Sequence, residues 1–283
     1  MPELPEVETM VRGLRPALLG QTLERIEVRD PSLVHGCSSA DLERHGGGAT
    51  VCEVRRRGKW VVVTFTDSRG IIVIQPRMTG GFWLTEPVRP DHIRLVFHVE
   101  KSRAMVWYCD TRRLGKIGWY PDAEQAALAF ERSHGPDALE IDRVDLEARL
   151  KRTARGIKPT LMDQKVVAGI GNIYADEILH SSKIHPERGA GTLSRAEVTR
   201  LHRSMQDVLA TAIRLEGSSF DAGYRTVLGL EGGFLAQNSV YGRARLPCRV
   251  CERPILKTRI VGLIGRPTYY CPHCQRPRVR RHS

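Results

Sequence analysis

Two groups of residues in this 283-residue chain have the types and spacing for chemistry, and they stand near its two ends. The first is Met1-Pro2-Glu3-Leu4-Pro5-Glu6-Val7-Glu8. Met1 ahead of a residue as small as Pro2 is expected to be trimmed, leaving a secondary amine. An α-amine has a pKa of about 7.7–8.0 against about 10.4 for lysine, so roughly a tenth or more of it is unprotonated at neutral pH. A neutral amine can attack an electrophilic carbon and form a Schiff base. An ordinary capped N-terminal helix is the alternative reading of the same residues. The second group is Cys248-Arg249-Val250-Cys251 with Cys271-Pro272-His273-Cys274. This C-x2-C…C-x2-C spacing is that of a zinc site. Four thiolates fill a tetrahedral site and leave no open position, so one structural Zn2+ per chain is expected. A redox pair or disulfides are the alternatives, and His273 is read as a loop residue.

The elements around these groups follow from periodicity. Pro5 suits the start of a helix, because its φ is fixed and it has no N–H to lose. Glu3, Glu6 and Glu8 lie where the helix dipole is positive. Val7, Val11, Leu14 and Leu18 then share one helical face, and Gly20 closes the helix. Beyond it the period changes to two, in residues 22–28, 49–55 and 60–65, with further strand-like runs at 71–74, 93–99, 104–108 and 117–120. Turn signals at 67–70, 79–81 and 113–115 separate them, the pattern of a β-sandwich or barrel. Residues 1–130 are therefore read as one helix packed on a β-sandwich. A polar connection follows, helical over 123–132 and broken at Gly135-Pro136. Helical spacing returns in 131–240, with helices expected at 161–167, 173–180, 194–216 and a short one near Asp221. Ser194 and Glu197 have the spacing of a capping box. The fold class is α+β. A third segment, 241–283, carries the paired cysteines, with strands expected at 255–260 and 268–270 joined by a turn at Ile264-Gly265-Arg266-Pro267.

Charge narrows the partner. The formal net charge is +12, and the C-terminal segment sets Arg243, Arg245, Arg249, Arg253, Lys257, Arg259, Arg266, Arg276, Arg278, Arg280 and Arg281 against one acid, Glu252. Clustered positive charge points to nucleic acid. No basic amphipathic helix, membrane-spanning stretch or apolar leader stands out, so no membrane partner and a cytoplasmic location are expected. Cys37, Cys52 and Cys109 are scattered and read as buried or incidental thiols.

The string Pro2-Glu3-Leu4-Pro5-Glu6-Val7-Glu8-Thr9 resembles the N-terminus of formamidopyrimidine-DNA glycosylases. So does Lys158-Pro159-Thr160-Leu161-Met162-Asp163-Gln164 followed by residues 167–179, which resembles their helix–two-turn–helix motif. The C-terminal cysteines resemble their zinc finger, and the likeness covers essentially the whole chain in order. It implies a bifunctional DNA glycosylase and AP lyase of bacterial base-excision repair, acting as a monomer on damaged double-stranded DNA. The substrates implied are 8-oxoguanine, formamidopyrimidines and abasic sites. Pro2 would be the nucleophile, Glu3 the general acid/base on the sugar, and Glu6 its support. Lys59 and Arg266 would grip the phosphates beside the lesion, Asn172 would bond a phosphate, and Lys158 would lie near the damaged nucleotide. Met78, Arg112 and Leu114 would fill the stack after base flipping. Residues 217–230 resemble the mobile lesion-capping loop.

The sequence departs from the family at Gln75, where a histidine is usual, at Leu114, where a phenylalanine is usual, and in a longer zinc-finger hairpin loop. None of these touches the nucleophile. An endonuclease VIII type acting on oxidised pyrimidines is one alternative, against which Leu4 argues because that branch typically has glycine there. A non-catalytic zinc-ribbon DNA-binding protein is the other.

Overall fold

The computed structural model describes residues 2–219 and 224–277. The helix expected near Asp221, and Arg278, Arg280 and Arg281, lie outside these residues. The chain forms two compact units, Met1–Arg132 with Ala212–Leu235, and Ser133–Thr211 with Ala236–Ser283.

The first unit begins with α1 (Leu4–Leu18). Val7, Val11, Leu14 and Leu18 are fully buried on its inner face, as the spacing predicts. Gly20 follows with φ +74°, a left-handed residue just past the helix end. Two antiparallel four-stranded sheets follow. One runs β1 (Leu23–Val28), β6 (Ile93–Val99), β7 (Met105–Asp110), β5 (Gly80–Trp83). The other runs β2 (Val51–Arg57), β3 (Trp60–Phe65), β4 (Ile71–Gln75), β8 (Lys116–Tyr120). Alternate residues of both, such as Val61, Val63, Ile72 and Ile74 facing Leu95, Phe97, Val106 and Tyr108, join the α1 face in a single core. The outer face of the second sheet is covered by Ala126 and Phe130 of α3 (Ala123–Ser133).

Three features differ from expectation here. The helix α2 (Ser39–Gly46) starts at a Ser38–Asp41 capping box that the sequence reading passed over. The Gly80-Gly81 pair, taken as a turn, begins β5 instead. A Cβ on Gly80 would come within 2.5 Å of the Tyr108 hydroxyl, so glycine is there for close packing. Segment 212–235, placed with the helical domain by sequence, belongs to the first unit. Tyr224 and Val227 enter its core, and Val227 sits so close to Gly13 that a Cβ there would lie 2.3 Å from it. Gly13, which weakens α1 on propensity alone, is the residue that lets this segment approach.

The second unit holds α4 (Arg143–Lys151), α5 (Ile157–Leu161), α6 (Asn172–Ser181) and most of α7 (Arg195–Arg214). The predicted capping box at α7 is formed, with Ser194 N–H donating to Glu197 Oε2 at 2.7 Å. Helix is absent over 162–167, where the chain turns instead, because α5 is already complete at Leu161. The hairpin β9 (Leu256–Thr258) and β10 (Thr268–Tyr270) completes the unit. By contacts it falls in the same compact unit as these helices. No helix among the described residues is long and apolar enough to cross a membrane.

Candidate active site

Pro2 is buried immediately ahead of α1, and Glu3 is the N-cap residue, 1% exposed. The two acids cap each other's backbone. The Glu3 carboxylate accepts from the Glu6 N–H, and Glu3 N–H donates to Glu6 Oε2 at 2.8 Å. The other Glu6 oxygen accepts the Ser218 N–H at 2.7 Å. A side chain on Gly217 would collide with that carboxylate, at 2.7 Å from its Oε1. Glu6 therefore ties the head of α1 to segment 212–235, a role the sequence did not disclose because the partner lies far along the chain. The positive end of α1 lies directly behind Pro2.

Lys59 occupies a two-residue turn between β2 and β3, whose last pair is Arg57 with Trp60. Gly58 takes φ +57° at the first central position, which glycine allows without strain. Arg56 beside it is held by Glu8 of α1 at 3.1 Å. The half-buried Lys59 is thus carried on a stiff ladder anchored to the helix that bears Pro2.

Met78, Arg112 and Leu114 come together on adjacent turns. Gly80 of β5 pairs with Asp110 of β7, so the turn before one strand lies beside the turn after the other. Asp110, fully buried, organises both. Its carboxylate accepts from Thr79 Oγ1 at 2.5 Å and from the N–H groups of Arg112, Leu114 and Gly115 at 3.2, 2.8 and 2.7 Å. Thr79 Oγ1 in turn accepts from the Arg112 N–H at 3.1 Å. Met78 is half-exposed rather than core, and Leu114 is 39% exposed. Asp110 was missed in the sequence, although an aspartate at the head of a turn is a known turn signal.

In the second unit, Gln164 fixes the turn before α6. Its amide donates to Met162 and Ile170 carbonyls, each at 2.9 Å, and its oxygen accepts from Gly169 N–H at 3.0 Å. Gly169 adopts φ +114°. Asn172 opens α6 and donates to the Pro267 carbonyl at 3.1 Å. Lys158 differs from the expectation of a group lying against DNA. Its ammonium is wholly buried, 2.8 Å from Asp176, and donates to Pro267 O and Thr268 Oγ1 at 3.0 Å each. A charge removed from water must be paired, and α6 and the hairpin supply the partners. Burial pushes the Asp176 carboxyl up to about 7, and the Lys158 ammonium works against that rise. Asp176 also accepts the Tyr269 N–H at 2.9 Å. Lys158, Asn172 and Asp176 accordingly clamp the base of the loop carrying Arg266, which is itself exposed.

The four cysteine sulfurs of Cys248, Cys251, Cys271 and Cys274 lie within 4.8 Å of one another. Cys248–Cys274 and Cys251–Cys271 are 3.9 and 3.4 Å apart. A Zn–S bond of about 2.3 Å gives tetrahedral S–S edges of about 3.8 Å, so the set fits zinc. Backbone N–H groups of Val250 and Cys274 donate to Cys248 and Cys271 Sγ at 3.5 and 3.4 Å, as ligand thiolates require. His273 stays exposed and outside the cluster. His180 of α6, not anticipated, places Nε2 3.5 Å from Cys248 Sγ. Glu177, one turn earlier, accepts the N–H groups of Ser239, Val240 and Tyr241 at 2.8–2.9 Å. The cysteine module is therefore tied to α6 on two sides.

Residues 1–117 match the formamidopyrimidine-DNA glycosylase N-terminal domain and residues 134–222 match the formamidopyrimidine-DNA glycosylase H2TH domain. The formamidopyrimidine-DNA glycosylase of Thermus thermophilus is 39% identical over 279 residues, covering 97% of this chain and 98% of that protein. The crystal structure of the MutM (Fpg) protein from the same organism superposes with a TM-score of 0.85 at 36% identity, covering 97% and 98% of the two chains. Lactococcus lactis Fpg in complex with DNA containing an abasic site gives 0.86 at 31% identity, covering 97% and 100%. A mutant of the same Lactococcus lactis protein in complex with DNA containing Fapy-dG gives 0.87 at 31%, covering 98% and 100%.

Proposed function

Because the chain belongs to the formamidopyrimidine-DNA glycosylase family, we propose that it excises oxidised purines from duplex DNA and cleaves the resulting abasic strand. The observation that carries this reading is the burial of Pro2 and Glu3 together at the positive end of α1. Once Met1 is removed, the Pro2 nitrogen attacks C1′ of the flipped nucleotide, and the base departs with the bonding pair. Glu3 transfers the proton that opens the sugar ring, giving a Schiff base on Pro2. Glu6 holds Glu3 in place through the shared cap. The iminium acidifies the neighbouring C–H bonds, and two eliminations release the 3′ and then the 5′ phosphate. Lys59 and Arg266 contact those phosphates, and Asn172 adds a neutral phosphate contact from the head of α6. Met78, Arg112 and Leu114 enter the vacated stack as an apolar and cationic wedge. Cys248, Cys251, Cys271 and Cys274 would hold a structural Zn2+, which would fix the hairpin that carries Arg266 and, with four protein ligands, leave no open position for catalysis.

The substrates are 8-oxoguanine and formamidopyrimidine lesions and abasic sites. Lactococcus lactis relatives complexed with abasic-site and Fapy-dG DNA support that choice. Lys158 acts through the position of the hairpin rather than through the lesion. Single-turnover incision of matched duplexes carrying 8-oxoguanine or an oxidised pyrimidine tests the reading. Faster release of the 8-oxoguanine strand, with phosphate at both new ends, is expected. Preference for the pyrimidine lesion would assign the chain to endonuclease VIII-type chemistry instead.

A further inference from the structure

Between β9 and β10 the chain does not simply turn; it makes two tandem turns. Leu263 N–H donates to the Ile260 carbonyl and Arg266 N–H to the Leu263 carbonyl, each at 3.4 Å. In each turn the third residue is a glycine in the left-handed region, Gly262 at φ +87° and Gly265 at φ +69°. A positive φ at the third position is what a type II-like turn needs. The residues before these glycines, Val261 and Ile264, thus occupy equivalent positions in the two turns. They are 94% and 99% exposed, beyond every other large apolar side chain among the described residues of the second unit. A single exposed aliphatic group needs no explanation, but two set at equivalent positions of tandem turns at a hairpin tip are a presented surface.

Charge identifies the partner. Lys257, Arg259 and Arg266 flank the tip, and no Asp or Glu follows Glu252 in the sequence. Lys257, Thr258 and Arg259 line a groove with Gly265 and Pro267 alongside it. An apolar tip whose hairpin carries cations and no acid repels a basic partner and suits a polyanion that also offers apolar surface. Duplex DNA does so at its base steps, where aliphatic wedges enter the minor groove while cations hold the phosphates. We propose that Val261 and Ile264 form a second DNA wedge, separate from Met78, Arg112 and Leu114, pressed into the minor groove next to the phosphate that Arg266 contacts. This rests on the duplex-binding reading above. It deepens that reading by giving the longer hairpin loop a purpose of its own.

Apolar contacts displace no counterions, so the wedge and the phosphate contacts respond differently to salt. The test is the zinc-loaded full chain carrying Val261→Ser and Ile264→Ser, compared with wild type on an abasic-site-analogue duplex across a salt series. The double variant should keep its zinc, lose about tenfold or more in affinity, and leave the log–log salt slope unchanged. A Val261→Leu/Ile264→Leu variant should bind like wild type. With 2-aminopurine placed at successive steps near the lesion, wild type should brighten one step that the serine variant leaves dark. Unchanged affinity for the serine variant would overturn the wedge and leave the tip to a protein partner. A slope flattened by about one would also overturn it, since the substitutions would then be acting through Arg266. Absence of salt-dependent duplex binding by wild type itself would sink the duplex-binding reading together with the wedge.

Discussion

Lys59 and Arg266 both ride on antiparallel hairpins, yet the two hairpins are held by different physics. The first has a ladder running from Val51–Phe65 to Arg57–Trp60, a two-residue turn, and side chains such as Val54, Val61 and Val63 sunk in the sandwich core. Its own burial fixes the lysine. The second pairs only Thr268–Thr258 through Tyr270–Leu256, and its residue Leu256 is 42% exposed. A short two-stranded hairpin is marginal by itself. Its position is borrowed, from the buried Lys158–Asp176 pair, from Asn172 and from the four cysteines. Two cations proposed to contact the same polyanion therefore depend on unrelated parts of the chain. That dependence can be broken on one side at a time.

The largest effect is expected from the metal site. Cys248→Ala should release zinc and abolish duplex binding, because metal binding and folding are coupled in such a small module. The unfolding transition of the first unit should stay in place, since its core contains none of these residues. Normal duplex binding and strand cleavage by that mutant would remove zinc from the account.

Next comes the buried pair. Lys158→Met leaves Asp176 without its cation and should destabilise the second unit by about 3–5 kcal/mol. Replacing both, Lys158→Met with Asp176→Leu, should recover most of that loss in a thermal melt. A single mutant as stable as wild type would mean that the pair does not hold the hairpin.

Smaller still is the loss of either contact. Arg266→Ala and Lys59→Ala should each flatten the log–log salt dependence of binding by about 0.9. An unchanged slope for one of them would strike that residue from the phosphate contacts. Least of all should be the glycine changes. Gly58→Ala forces a left-handed φ on a core-anchored turn and should cost about 1–2 kcal/mol in the first unit. Gly265→Ala meets open space, yet its φ of +69° strains any side chain, so it should cost about 1–2 kcal/mol in the second unit.

The same contrast explains what the sequence revealed. The α1 face, the strands of period two and the paired cysteines were legible, because each is a local pattern written in neighbouring residues. The N-terminal string and the stretch from Lys158 to Leu179 carried the family. What stayed hidden depends on partners distant in the chain. Glu6 meets Ser218, Gly13 admits Val227, and His180 reaches Cys248. The resemblance put Lys158 near the damaged nucleotide, and only the fold shows Asp176 and the Thr268 hydroxyl closing around it. Gly80 and Gly81 carried a turn signal, but they pair with Asp110 and Cys109 of β7 as strand, and Gly80 packs against Tyr108. No local rule separates a glycine needed for φ from one needed for closeness.

The central claim is that the Pro2 nitrogen is the group that bonds to the sugar. The direct measurement is borohydride trapping of the processed protein on an 8-oxoguanine duplex, followed by identification of the crosslinked peptide. The account predicts one crosslink, located at Pro2, and none in a preparation that retains Met1. A crosslink at Lys59 or another lysine, or equal trapping with Met1 in place, would contradict it.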